Sequence, residues 1–249
     1  SGLFVSQPRG YVGVISAQEN TLGLSHLNQA GRLSFPRQRG IRAGDPLVCQ
    51  AVDLDADGAD ELALVTELDG ELVLTLAQPS DRNAPQAAWT VRSRTSLTGV
   101  KRKPVAIRAL DIFADGRRGL MVFVPREAPL LLAPKSADAF ELAALAEQST
   151  LRESLLKGIT QSQVSVFDVD GDGVNELIVG RTGYARALRV EAGELEMVDQ
   201  FNARRGDDAV SAVVPIYADG QLAQLVFYVA ATGEFPALER ARDGVFRYP

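Results

Sequence analysis

Two short stretches of the chain carry acidic residues at a spacing suited to binding a cation. In the first, Asp53, Asp55 and Asp57 stand at positions one, three and five, Gly58 at six and Glu61 at nine. The second repeats the pattern with Asp168, Asp170, Asp172, Gly173 and Glu176. Alternating carboxylates followed by a later acid are what a hard, oxygen-liganded cation needs. The glycine lets the backbone bend back, so that the carbonyl at position seven, Ala59 or Val174, can join the shell. With Asp60 the two loops hold nine carboxylates. Like charges at that density repel, so without a counter-cation each loop should be strained, mobile or partly protonated. A turn rich in Asp and Gly would account for one such copy. Two copies with Glu at the same offset point instead to metal ligation.

The first six positions match the calcium loop of an EF-hand, whose bidentate Glu stands at position twelve. Here that position is Leu64 in one loop and Val179 in the other, each inside an apolar run. The flanks read as strands rather than helices. The pattern is therefore a strand–loop–strand calcium site, present twice.

Other chemistry is poorly supplied. The chain has 249 residues, 46% of them hydrophobic and 23% charged, which suits a folded globular protein with a sizeable core. Its single cysteine, Cys49, excludes an internal disulfide framework and cysteine-based zinc or iron–sulfur sites. Its single histidine, His26, would have to serve any Ser-His-Asp or Cys-His arrangement, which argues against most hydrolases. Cys49 reads as a buried thiol, His26 as a structural residue of a third strand, and Trp89 as a packing residue. A net charge of −6 disfavours nucleic acid as a partner, and no apolar run reaches the ~20 residues that cross a bilayer as a helix.

The acidic loops belong to a longer repeat. VDLDADGADELALV (52–65) and FDVDGDGVNELIVG (167–180) have weaker copies in LDIFADGRRGLMVFV (110–124) and PIYADGQLAQLVFYV (215–229), and a worn one in LFVSQPRGYVGVIS (3–16). The loop glycines of the five would be Gly10, Gly58, Gly116, Gly173 and Gly220, 47 to 58 residues apart. That period falls in the range of propeller blades. After each loop come further β-rich runs bounded by Gly, Asp and Pro, such as ELVLTLAQ and WTVRSRTSL, or ARALRVEA and ELEMVDQF. One helical stretch is expected at Leu151 to Lys157, with Ser149 and Thr150 as caps. The fold expected is all-β: a β-propeller of about five four-stranded blades in one domain, with blades near 1–40, 41–98, 99–152, 153–206 and 207–249.

On DLDADGADEL (53–62) and DVDGDGVNEL (168–177) the chain resembles the FG-GAP/VCBS repeat family, which includes the integrin α-subunit propellers and many bacterial surface proteins. The resemblance implies calcium held between the first and second strands of a blade, a role in binding rather than catalysis, and an extracytoplasmic setting (periplasm, cell surface or secreted). The Ser1-Gly2 start reads as processed. Three units depart from the motif: the third keeps Asp111, Asp115 and Gly116, the fifth only Asp219 and Gly220, the first only Gly10. Ordinary turn bonding is expected in the third and fifth.

The first expectation is thus a calcium-stabilised interaction scaffold with two calcium ions and a protein or acidic glycan as partner. The alternatives are a module of a larger secreted protein and a polysaccharide lyase-like enzyme; Tyr11, Tyr184, Tyr217 and Tyr228 are available to the latter, with no spacing that singles one out. An acidic partner is suggested by the connections between blades, read as Pro36–Asp45, Thr98–Pro104, Thr150–Thr160 and Ala203–Asp208. They carry Arg37, Arg39, Arg42, Lys101, Arg102, Lys103, Arg152, Lys157, Arg204 and Arg205 against four acids. A basic ring would then lie opposite the acidic loops, able to draw in an anion.

Overall fold

A computed structural model of the chain describes residues 2–6, 9–16, 19, 21–28, 30–39, 44–54, 60–80, 89–111, 118–127, 129–136, 139–143, 155–156, 158–191 and 194–249. Among them are five four-stranded antiparallel sheets, each a meander in which consecutive strands lie side by side. The first holds β1 (Gly2–Ser6), β2 (Arg9–Ser16), β3 (Thr21–His26) and β4 (Arg37–Arg39). The second holds β5 (Asp45–Val52), β6 (Glu61–Leu68), β7 (Glu71–Pro79) and β8 (Trp89–Ser96). The third is β9 (Ala106–Asp111), β10 (Arg118–Phe123), β11 (Leu130–Ser136) and β12 (Ala139–Ala143). The fourth is β13 (Val164–Phe167), β14 (Glu176–Arg181), β15 (Tyr184–Glu191) and β16 (Glu194–Asn202). The fifth is β17 (Val210–Ala218), β18 (Gln221–Val229), β19 (Ala237–Arg240) and β20 (Phe246–Arg247). The chain packs as two compact units, 1–107 with 132–142 and 108–131 with 143–249.

Burial follows each strand's place in its sheet. The central strands β6 and β14 are apolar on both faces, and their first five residues are buried without alternation. Side chains on successive strand residues point to opposite faces, so such a run needs cover on both sides. The fourth strand β16 is largely solvent-facing, and β8 is half-buried with no fully buried residue. In the first unit Leu22, Leu24, Cys49, Ala51, Leu62, Leu64 and Ala77 form one core cluster, with Trp89 packed against it. In the second, Phe167, Ile178, Phe201, Val210, Leu225 and Phe227 anchor another. There β14 and β17 approach so closely that a Cβ on Gly180 would stand 2.6 Å from the Val210 carbonyl oxygen. Only glycine fits at that point.

Two hairpins turn on Asp-Gly pairs. Asp69 and Gly70 both have positive φ, 53° and 82°, as a two-residue type I′ turn requires. Asp219 and Gly220 repeat this with 51° and 76°, and Ala218 pairs directly with Gln221 across them. The loop of the fifth unit is therefore a tight hairpin turn. Gly10 is not a loop residue at all: β1 and β2 stay paired to Ser6 and Arg9, and Gly10 lies in β2 opposite Val5. Arg37 and Arg39, read from the sequence as part of a connection, belong to β4. Of the expected helix, residues 155 and 156 are helical, while 151–154 and 157 lie outside the described residues. Gly116 and Asp115 also lie outside them.

Candidate metal centre

The loop 168–175 joins β13 to β14, and its backbone is folded around its own carboxylates. Asp168 accepts the N–H of Gly171 through Oδ1 at 2.6 Å and that of Gly173 through Oδ2 at 2.9 Å. Asp170 takes the Asp172 N–H at 3.1 Å, and Asp172 takes the Val174 N–H at 2.8 Å. Gly171 and Gly173 have φ of 92° and 89°, in the left-handed region where a side chain would be strained. At the end of the loop Glu176 is fully buried, and its Oε2 accepts the Val169 N–H at 2.9 Å.

This folding brings Asp168, Asp170 and Glu176 together, with one oxygen from each lying within 4.8 Å of the other two. Oxygens bound to one calcium ion at about 2.3–2.6 Å can stand at most roughly 5 Å apart, so the donor set fits a single hard cation. Asp172 is not one of that trio; its Oδ2 pairs with Arg189 Nη2 at 2.8 Å. Val174 contributes its N–H to Asp172.

Arg189, on β15, supplies the positive charge. Its Nη2 lies 2.5 Å from Glu176 Oε1, 2.8 Å from Asp172 Oδ2 and 3.3 Å from Asp170 Oδ2, and its Nε also donates to Glu176 at 3.1 Å. The electrostatics follow from this packing. Burial pushes the Glu176 carboxyl up, opposed by the Val169 N–H and by Arg189. The Val174 N–H is the main influence holding the Asp172 carboxyl below its usual range. Glu176 in turn raises the Arg189 guanidinium, which stays charged. The expected repulsion within the loop is thus relieved in part by a guanidinium and by backbone N–H groups.

Two residues of the same compact unit, Asp111 and Arg240, hold the loop from outside. Asp111, at the end of β9, accepts both the backbone N–H and the side-chain amide of Asn175 on its Oδ2, at 3.0 and 2.9 Å. Arg240, on β19, donates to the Asp170 carbonyl at 3.0 Å. Asp111 was read from the sequence as a remnant of a third metal loop; its carboxylate instead pins the fourth.

The loop between β5 and β6 is described only at its ends, with Asp55, Asp57, Gly58 and Ala59 outside the described residues. The ends reproduce the fourth unit. Glu61, 2% exposed, accepts the Leu54 N–H on Oε2 at 3.0 Å and pairs through Oε1 with Arg92 at 3.1 Å. Position nine in both loops is therefore a buried glutamate that closes the loop through position two and meets an arginine. Arg92, Arg189, Arg240, Asn175 and Gly171 were not singled out in the sequence. The two arginines lie 31 and 13 residues beyond their glutamates, on a fourth strand in one sheet and a third strand in the other, so no common offset marks them.

Of the basic connection residues, Lys103 pairs with Glu67 at 2.5 Å, and Arg205 pairs with Asp208 at 3.0 Å and Glu234 at 2.9 Å. Arg42, Arg152 and Lys157 lie outside the described residues. Within the fourth sheet the connection 203–209 follows β16, at the opposite strand ends from the loop 168–175. His26 ends β3, and Cys49 is buried in β5.

No family model matches the chain, and no curated protein matches it. Among solved structures it is similar to a protein described as an exo-β-1,3-galactanase from Bifidobacterium bifidum s17, at 12% identity and a TM-score of 0.51, over 100% of this chain and 89% of that one. At this identity the likeness concerns the fold alone.

Proposed function

We propose that the chain is a calcium-stabilised β-propeller of the FG-GAP/VCBS kind, serving as a non-catalytic binding scaffold in an extracytoplasmic setting. The observation that carries this reading is the convergence of Asp168, Asp170 and Glu176 within 4.8 Å in a strand–loop–strand turn, at the spacing that recurs in Asp53, Asp55 and Glu61. A calcium ion there would bridge carboxylates that otherwise repel and so fix the entry to a central strand. The acids of the 168–176 loop are engaged by backbone N–H groups and Arg189, an arrangement that supports a structural role over proton transfer to a substrate. The basic connections of either unit would draw in an anionic partner, either an acidic glycan or an acidic protein surface.

Isothermal titration of calcium into the chelator-stripped chain tests the metal. Uptake of two ions, reduced to one by Asp170→Ala, is the expected result. A folded chain that takes up none removes the basis of the proposal.

A further inference from the structure

In the 168–176 loop one nitrogen atom touches three of the four motif carboxylates. Arg189 Nη2 lies within 3.3 Å of Asp170, Asp172 and Glu176, and Asp170 and Glu176 are also two of the three residues whose oxygens fit a single cation. The guanidinium reaches this point from β15, whose pairing with β14 fixes its register: Leu188 lies opposite Leu177, directly beside Glu176. Two hydrogens on Nη2 cannot satisfy three acceptors equally, and the 3.3 Å contact to Asp170 is the loosest of the three. A calcium ion drawing on the same oxygens would meet a fixed positive charge about one side-chain contact away.

We propose that Arg189 is a tethered cation that competes with calcium for the loop: it holds Asp170, Asp172 and Glu176 together without metal and is displaced from Asp170 and Glu176 when calcium binds. The inference rests on the calcium reading above and adds to it a built-in threshold. With the guanidinium in place the carboxylates are already partly neutralised, so the site fills only when calcium is plentiful, and the blade is held in both states. A divalent and a monovalent cation about 5 Å apart in a water-like dielectric repel by an amount that corresponds to roughly a tenfold change in affinity. Arg189→Gln, which removes the charge and keeps a hydrogen-bonding side chain, should therefore tighten calcium binding by about tenfold.

The test is calcium titration of the wild-type chain and R189Q by calorimetry, with thermal melts of both in chelator, and 15N NMR of the Arg189 Nε–H in the wild type. Tighter binding by R189Q, with a lower melting temperature in chelator that calcium restores, supports the proposal. So does an Arg189 Nε–H signal in the wild type that shifts as calcium is added. If both chains bind calcium with equal affinity, or if the Nε–H signal is unmoved while the loop is loaded, competition is refuted and the calcium reading stands. If neither chain binds calcium, the calcium reading itself fails and the competition with it. Should R189Q not fold in chelator, the wild-type NMR titration decides alone.

Discussion

Replacing Asp111 by alanine should loosen a loop that lies 64 residues further along the chain. Asp111 Oδ2 accepts two bonds from Asn175, the backbone N–H at 3.0 Å and the side-chain amide at 2.9 Å, and the carboxylate is 13% exposed. A hydrogen bond to a charged group is worth about 1.5–3 kcal/mol when buried, and water would recover part of it at this site. The net loss should be about 2 kcal/mol, a fall of roughly 4–8 °C in melting temperature for a chain of this size. The exposed pair that Asp111 makes with Arg118, at 3.4 Å, adds little, so Arg118→Ala serves as the control and should melt within a degree or so of wild type. Asp111→Asn keeps an acceptor without the charge and should lose about half as much. Melts of D111A, N175A and the double variant complete the cycle. A coupling of about 1 kcal/mol is expected, because N175A removes the amide and leaves the backbone N–H. A D111A variant as stable as wild type, or a coupling of zero, would refute the idea that the third unit's aspartate pins the fourth unit's loop.

Three further outcomes are expected. Chelation should lower the melting temperature, since a ligand at one hundred times its dissociation constant stabilises by about 2.7 kcal/mol per site, and Asp170→Ala should remove part of that response. Scanning calorimetry with and without chelator reads both. Gly180→Ala should cost about 1–3 kcal/mol by denaturant unfolding, because its new methyl group would press on the Val210 carbonyl and one strand must shift. On an anionic resin at low salt, the wild type should be retained longer than a Lys101→Glu, Arg102→Glu, Arg204→Glu variant; identical elution would mean that the basic connections are only solvated surface.

The sheet count and the approximate strands were legible because apolar runs and Asp-Gly punctuation recur at one period. The central strands β6 and β14 announce themselves as uninterrupted ELALV and ELIVG. ADGQ in the fifth unit, expected to keep ordinary turn bonding because it lacks carboxylates at positions three and nine, closes as a two-residue turn. The first unit was harder to read. Gly10 was misread because β1 and β2 remain paired beyond it, and a glycine in a strand looks like one in a loop when only spacing is considered. In the metal loop the carboxylates were visible by their alternation, while their partners were not. Glutamate at position nine was read as a ligand from its charge and its recurrence at the same offset in both loops. Its burial, its bond to position two and its arginine depend on strand pairing, and pairing places Arg92 and Arg189 at different distances along the chain. Asn175 and Asp111, 64 residues apart in the chain, meet only in the folded unit that holds both.

The most direct test of the account is an anomalous difference map from crystals of the full chain grown with calcium. The account predicts one peak bonded at about 2.3–2.6 Å to oxygens of Asp168, Asp170 and Glu176, a second in the loop from Asp53 to Glu61, and none at the Asp219-Gly220 turn. Well-ordered 168–176 and 53–61 loops with no peak in either would contradict it.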